Sequence, residues 1–149
     1  MEVLETLNDR TIWYTENLEK AKLIAEAFEN FCAYIIAENS TTQELFDIAK
    51  ECLLLGINYL CASGKQGALI EDVFDEEVVA QNVENDLEKF LMTTHHKGVG
   101  EGLWFAIFLA REENKVIENL VCLNLTTSNT KSDILQHLKE IKKYAERNN

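Results

Sequence analysis

From Thr11 onward, short apolar runs of strand length alternate with longer segments whose apolar residues repeat at helical spacing. This alternation constrains the fold more than any other feature. Strands separated by helix-length connections pair in parallel, and the crossovers between them are right-handed. Thr11-Ile12-Trp13-Tyr14 reads as the first clear strand, because β-branched and aromatic residues fit a pleated, half-buried surface. Met1–Leu7 before it is weaker and reads as a helical turn or a short strand. Thr15 is placed to cap a helix over about Glu16–Asn30, with Leu18, Ala21, Ala25 and Phe28 on one face.

Phe31–Ala37 is apolar throughout, as in a strand covered on both faces, although its period also allows a continuation of the preceding helix. Thr41 and Glu44 form a capping box. The helix they open buries Leu45, Ile48, Ala49, Cys52 and Leu53, and Gly56 stops it. Ile57–Ala62 is the next strand, and helical pieces follow within the acidic stretch Ala68–Asn85. Phe90-Leu91-Met92 reads as a strand running into a polar, glycine-rich turn with Gly98, Gly100 and Gly102. A mostly apolar helix over Leu103–Glu113 comes next, then the strand Val116–Leu125. A last helix over Lys131–Arg147 opens on the capping pair Thr130 and Asp133.

The expected fold is a single α/β domain over residues 1–149. Four or five mostly parallel strands would carry helices on both faces, and a flavodoxin-like three-layer sandwich is the simplest member of that class.

The net charge of −12 argues against nucleic acid as a direct ligand, which needs a basic footprint, and is compatible with a basic protein partner. No apolar run approaches the roughly 18 residues of a membrane span. The acidic N-terminal residues lack the pattern of a signal peptide, so a cytoplasmic location is expected. The four cysteines, Cys32, Cys52, Cys61 and Cys122, have apolar neighbours and no C-x-x-C spacing, which points to buried reduced thiols.

Four proposed strand ends are polar: Asn39–Thr42, Ser63-Gly64-Lys65, Thr93–His96 and Thr126–Asn129. In a parallel sheet they share one edge, the edge at which open α/β sheets bind ligands. Hydroxyls and glycines also serve any strand-to-helix turn as caps. The glycine run 98–102 fits neither a phosphate loop nor a dinucleotide fingerprint, and Glu101 within it would repel phosphate. His95 and His96 are neighbours, so in an extended segment they point to opposite sides, and no metal site is expected. No cofactor is expected either. Cys61 or Ser63 with a histidine, oriented by Asp75, would give a nucleophile–base arrangement, although no local signature of such a site is present.

Tyr59-Leu60-Cys61-Ala62-Ser63-Gly64, Asp72 to Phe74-Asp75, Met92-Thr93-Thr94-His95-His96 and Leu103-Trp104-Phe105 resemble a family of small uncharacterised bacterial domains. That family carries a Cys-Ala-x-Gly turn, an Asp-x-Phe-Asp-like segment, a Thr-Thr-x-His strand end and a Leu-Trp helix start. The resemblance spans about residues 57–108. Ser63 and His95 stand where the family is associated with bulky aromatics. It implies a bacterial, cytosolic α/β domain and assigns no activity. With Ser63 from the strand-end pattern, it makes Cys61, Gly64, Asp72, Asp75, Thr93, Thr94, His96 and Trp104 candidate ligand-binding residues.

Two functions are compatible with this reading. One is a non-enzymatic binding protein, an immunity-like acidic partner or inhibitor of a basic protein. The other is a small-ligand-binding protein or hydrolase with its site at the C-terminal edge of the sheet.

Overall fold

The computed structural model describes residues 2–147. Six strands and five helices follow in the order β1 (Glu2–Leu7), β2 (Arg10–Thr15), α1 (Leu18–Ala25), β3 (Cys32–Ile36), α2 (Thr42–Leu54), β4 (Tyr59–Ser63), α3 (Gly67–Asn85), β5 (Met92–His95), α4 (Val99–Phe108), β6 (Asn119–Asn124) and α5 (Lys131–Arg147). They form an α/β fold around one sheet of order β1-β2-β6-β3-β4-β5. All neighbours are parallel except β1, which runs antiparallel to β2.

The direction of travel explains where the helices lie. The crossovers through α1, α2 and α3 all step toward β5, whereas α4 carries the chain back to β6 between β2 and β3. Right-handed crossovers that reverse direction must change face. Accordingly, α1, α2 and α3 cover one face, where Ala33, Ile35, Leu60, Ala62, Val121 and Leu123 meet residues such as Leu45, Ile48, Ile70 and Phe74. Helices α4 and α5 cover the other, where Ile12, Tyr34, Cys61 and Cys122 meet Leu103, Ile107, Ile134 and Leu138.

Several expectations are corrected. There are six strands rather than four or five. Numbered in chain order, the parallel strands lie 1-5-2-3-4, whereas a flavodoxin-like sheet has the order 2-1-3-4-5. The segment before Thr11 supplies the extra strand, its Met1 lying outside the described residues. A two-residue turn at Asn8-Asp9, with φ of 54° and 58°, pairs it with β2. Both residues are left-handed there, which matches the right-handed twist of a hairpin. Phe31–Ala37 contains a strand, β3, and all five of its residues are buried.

Asn17 caps the first helix through Lys20 N, while Thr15 Oγ1 accepts from Asn17 N. That helix is shorter than expected and ends at Ala25. The acidic stretch is one continuous 19-residue helix rather than separate pieces. The fifth strand begins at Met92 rather than Phe90, which lies 80% exposed before it. Helix α4 begins inside the glycine run, with Gly98 at its N-cap, and ends at Phe108.

Candidate functional site

Strand alternation sorts the candidate residues into two groups. In the β4–β5 register, Cys61 pairs with Thr94 and Leu60 with Thr93. Successive residues of a strand point to opposite faces. Cys61 and Ser63 on β4, with Thr94 and His96 at β5, therefore project toward α4. Thr93 and His95 project toward α3.

On the α3 side, Thr93 Oγ1 donates to Asp75 Oδ1 at 2.7 Å, and His95 Nδ1 lies 2.7 Å from Glu71 Oε2. Asp72 is exposed on the same helix. These contacts place Asp75 on the far side of the sheet from Cys61 and His96. The arrangement with Asp75 as orienter is thereby excluded.

On the α4 side the groups form a partly buried polar cluster. Thr94 Oγ1 is 3.0 Å from His96 Nε2. The His96 ring packs on Phe105 with 4.6 Å between centroids, and its Nδ1 lies 3.6 Å from Glu101 Oε1. Cys61 shares this face with its register partner Thr94, while the Cys32 thiol on β3 donates to Ala33 O at 3.7 Å. Burial raises the pKa of Cys61, but the neighbouring Cys32, His96 and Thr94 side chains outweigh it and hold the thiol below its ordinary range. The neighbouring Cys61 side chain raises the pKa of His96, desolvation opposes that, and the Glu101 charge adds to the rise. Burial pushes the Cys32 thiol up, and its neighbour Cys61 adds to this. Cys52 and Cys122 lack such neighbours; burial pushes each up to about 12, with Glu51 contributing at Cys52. Cys61 and His96 thus lie on the same side of the sheet, with Glu101 beside His96 Nδ1.

Glu101 was legible in the sequence only as a charge in the glycine turn. It reaches His96 because that turn is already the first turn of α4.

The glycines close this region against ligands rather than opening it. A Cβ on Gly102 would lie 2.3 Å from Ser63 Oγ and 2.7 Å from the Tyr34 hydroxyl. The same hydroxyl donates to Val99 O at 2.7 Å, and Ser63 Oγ donates to Gly98 O at 3.4 Å. Helix α4 therefore sits directly on the ends of β3 and β4. Gly64 has φ +88°, and a Cβ there would meet Ala37 O at 2.4 Å, so this glycine serves the backbone turn. Trp104 is half-buried on α4, 5.9 Å from the Phe108 ring.

Open space at the C-terminal edge lies elsewhere. A cleft of about 560 Å³ is lined by Asn39, Ser40, Asn124, Thr126, Asn129 and Lys131, among others, with Glu16 and Glu44 at its flanks. It sits where β3 and β6 send their helices to opposite faces. Tyr14 and Asn124 fix its floor: Asn124 Nδ2 donates to the Tyr14 hydroxyl at 3.1 Å and to Asn129 O at 2.8 Å. The adjoining 126–129 loop is held by the Glu38 carboxylate, which accepts from Thr127 N, Ser128 N and both hydroxyls.

Residues 12–141 match the family model described as a domain of unknown function (DUF7684). The chain belongs to that family. No curated protein and no solved structure gives a significant match. The DUF7684 region takes in both the Cys61–His96 cluster and the reversal cleft, and omits all of β1, the first two residues of β2 and the end of α5. Among the described residues no group of three or more His, Cys, Asp or Glu side chains is arranged to hold a metal, and no helix is long and apolar enough to cross a membrane.

Proposed function

We propose that this DUF7684 protein is a non-enzymatic binding protein, an immunity-like acidic partner or inhibitor of a basic protein in a bacterial cytoplasm. The surface that carries this reading is formed by α3 and the outer edge of β5. Between residues 71 and 88 the chain has eight acidic residues (Glu71, Asp72, Asp75, Glu76, Glu77, Glu84, Asp86 and Glu88) and no Lys or Arg. Set among them are large exposed apolar side chains: Val79 at 63%, Val83 at 78%, Leu87 at 51% and Phe90 at 80%. Val79 and Val83 are four residues apart and share the outward face of the helix. Beside them β5 ends the sheet, so its outer backbone groups have no strand partner among the described residues. Apolar anchors within a charged rim, next to a free strand edge, suit an extended basic segment that adds a strand to β5. A second copy fits this surface poorly, because the same acidic residues would then face one another. The Cys-Ala-x-Gly and Thr-Thr-x-His strand ends are read as marks of the family.

The test is co-purification from the native cell with wild type, Phe90→Glu and the charge reversal Asp72→Lys/Asp75→Lys. A basic protein retained by wild type, lost with either variant and released by salt supports the reading. A partner that binds all three equally, or one that is itself acidic, removes it.

The reversal cleft favours a second reading, a small-ligand-binding protein. Its lining carries hydroxyls, amides and flanking carboxylates and neither histidine nor cysteine. That chemistry suits binding of a neutral or cationic polar solute better than hydrolysis. Saturable thermal stabilisation of wild type by such a solute, absent from the cleft-filling Ser40→Trp variant, supports it. Equal shifts in both proteins count against it.

A further inference from the structure

Strand β5 is parallel to β4, and His96 N donates to Ala62 O at 2.9 Å, so the backbone at His96 points inward. In a strand the N–H and C=O of one residue point to the same side, and successive residues alternate. Thr94 therefore also turns its backbone groups toward β4, whereas Thr93 and His95 turn theirs out of the sheet. No strand covers that edge among the described residues. The Thr93 and His95 side chains lie on the α3 face, where they meet Asp75 and Glu71, and the exposed Asp72 stands on the same helix. The α4 face of the edge is apolar. Met92, 45% exposed, pairs with Tyr59, whose ring lies 6.0 Å from that of the partly buried Phe105. We propose that the partner segment bound by β5 is a short strand of alternating character, with Lys or Arg at every second position toward α3 and apolar side chains between them toward Met92 and Phe105. This rests on the basic-partner reading and adds to it the order of residues that the edge selects.

Paired residues of neighbouring strands present their side chains on the same face, so the pattern holds whichever way the added strand runs. Residues opposite Thr93 and His95 share the face of Glu71, Asp72 and Asp75. Residues opposite Met92 and Thr94 share the face of Phe105. Glu101, beside His96, lies beyond the last residue of β5. Because β5 has four residues, a segment of that length or slightly more satisfies the free edge. An unbroken basic run would set half of its charges against Met92 and Phe105, where nothing offsets their desolvation. An apolar run would set its side chains against the carboxylates of α3 and gain no charge pairing. Alternation thus selects by penalty as well as by attraction.

The experiment titrates the wild-type protein with two end-blocked peptides of identical composition, three lysines and three valines, strictly alternating in one and in two blocks in the other. Calorimetry is expected to give the alternating peptide about tenfold tighter binding, the product of two or three cross-strand pairs each worth a few-fold, weakening as salt is added. Residue-resolved amide exchange by NMR is expected to slow at Thr93 and His95 and to change little at Thr94 and His96, whose N–H groups already face β4. Met92→Lys, at a half-exposed position, is expected to remove most of the preference. Equal affinity for the two peptides overturns the proposal, as does a bound alternating peptide that leaves the Thr93 and His95 amides exchanging as in the free protein. Binding of neither peptide overturns it too. The broader reading is decided apart from these results, by whether a basic protein co-purifies with wild type and is lost with the charge reversal at Asp72 and Asp75.

Discussion

Gly64→Ala tests whether the β4–α3 turn is built by close backbone approach rather than around a ligand. Gly64 has φ +88°, and an alanine Cβ there would sit 2.4 Å from Ala37 O and 3.2 Å from Ala37 C and N. Those atoms cannot swing aside. Ala37 N donates to Ser63 O at 3.3 Å, and Ala37 O accepts from Gln66 N at 3.1 Å. An L-residue in the left-handed region costs about 1–2 kcal/mol. Overpacking against a fixed neighbour adds about 1–3 kcal/mol. The protein contains its own control. Gly56 has nearly the same φ, +85°, but nothing within 4 Å of its Cβ position. It is the left-handed residue of a Schellman end, with Ile57 N donating to Cys52 O and Gly56 N to Leu53 O. Gly56→Ala carries only the conformational cost. The reduced freedom of the unfolded chain is common to both variants and cancels in the comparison. Urea unfolding followed by tryptophan fluorescence gives both values with a shared m. Gly64→Ala should be less stable than Gly56→Ala by about 1–3 kcal/mol, or roughly 2–12 °C in Tm. Equal losses in the two variants would refute the close-approach argument.

Other perturbations test the frame and its charges. Arg10 is 7% exposed and caps the end of α4, its guanidinium donating to Ala106 O and, at 2.5 Å, to Ala110 O; Arg10→Met should cost about 3 kcal/mol or more in the same urea assay. Asp9 holds φ +58° in the β1–β2 turn, so Asp9→Gly should stabilise the protein by about 0.5–1 kcal/mol, seen as a higher urea midpoint. The hydrogen bonds from Ser128 and Thr127 hold the Glu38 carboxyl at about 2, below its ordinary 4.5. Its contribution to stability is therefore complete above pH 4.5 and fades as pH falls toward 2. Acid titrations of Tm should show Glu38→Gln losing that part of the pH dependence, and an unchanged profile would show that the contacts to the 126–129 loop do not matter.

The sequence made the interior strands legible because β3, β4 and β6 are buried on both faces and read as nearly continuous apolar runs. The edges were harder. β1 is largely exposed or half-exposed, and its hairpin depends on two non-glycine residues with positive φ, which weakens the usual turn signal. At β5, apolarity pointed to Phe90, yet an edge strand needs little apolar character, and the paired residues are Met92–His95. The start of α4 was obscured by glycines that normally break helices. They are tolerated because Gly102 lies against Ser63 and Tyr34, and a Cβ on Gly100 would come 2.8 Å from His137 Nδ1. The candidate cluster was partly legible: period-2 alternation brings Cys61, Ser63, Thr94 and His96 to one face once β4 and β5 are in register. Asp75 was misassigned because residue types alone do not say which face α3 covers. Strand order, which placed the open cleft between β3 and β6, had no local signal at all.

Strand β5 presents two rows of side chains and keeps them chemically apart. Its outward row, Thr93 and His95, is tied to Asp75 and Glu71 on the acidic helix. Its inward row, Thr94 and His96, belongs to the Cys61 cluster. A slip of one residue against β4 would exchange the two rows, so the register decides which residues face the acidic helix. Asp72→Lys changes the charge of the partner surface at an exposed position and touches no group on the α4 side. It should weaken binding of a basic partner and leave the urea midpoint close to that of wild type. The partner itself acts differently. A segment added to the free edge of β5 would cover the outer backbone groups of that strand, and amide hydrogen exchange over Met92–His95 should slow in the complex. An unchanged rate in a salt-sensitive complex would place the partner away from β5, on the outward face of α3 alone.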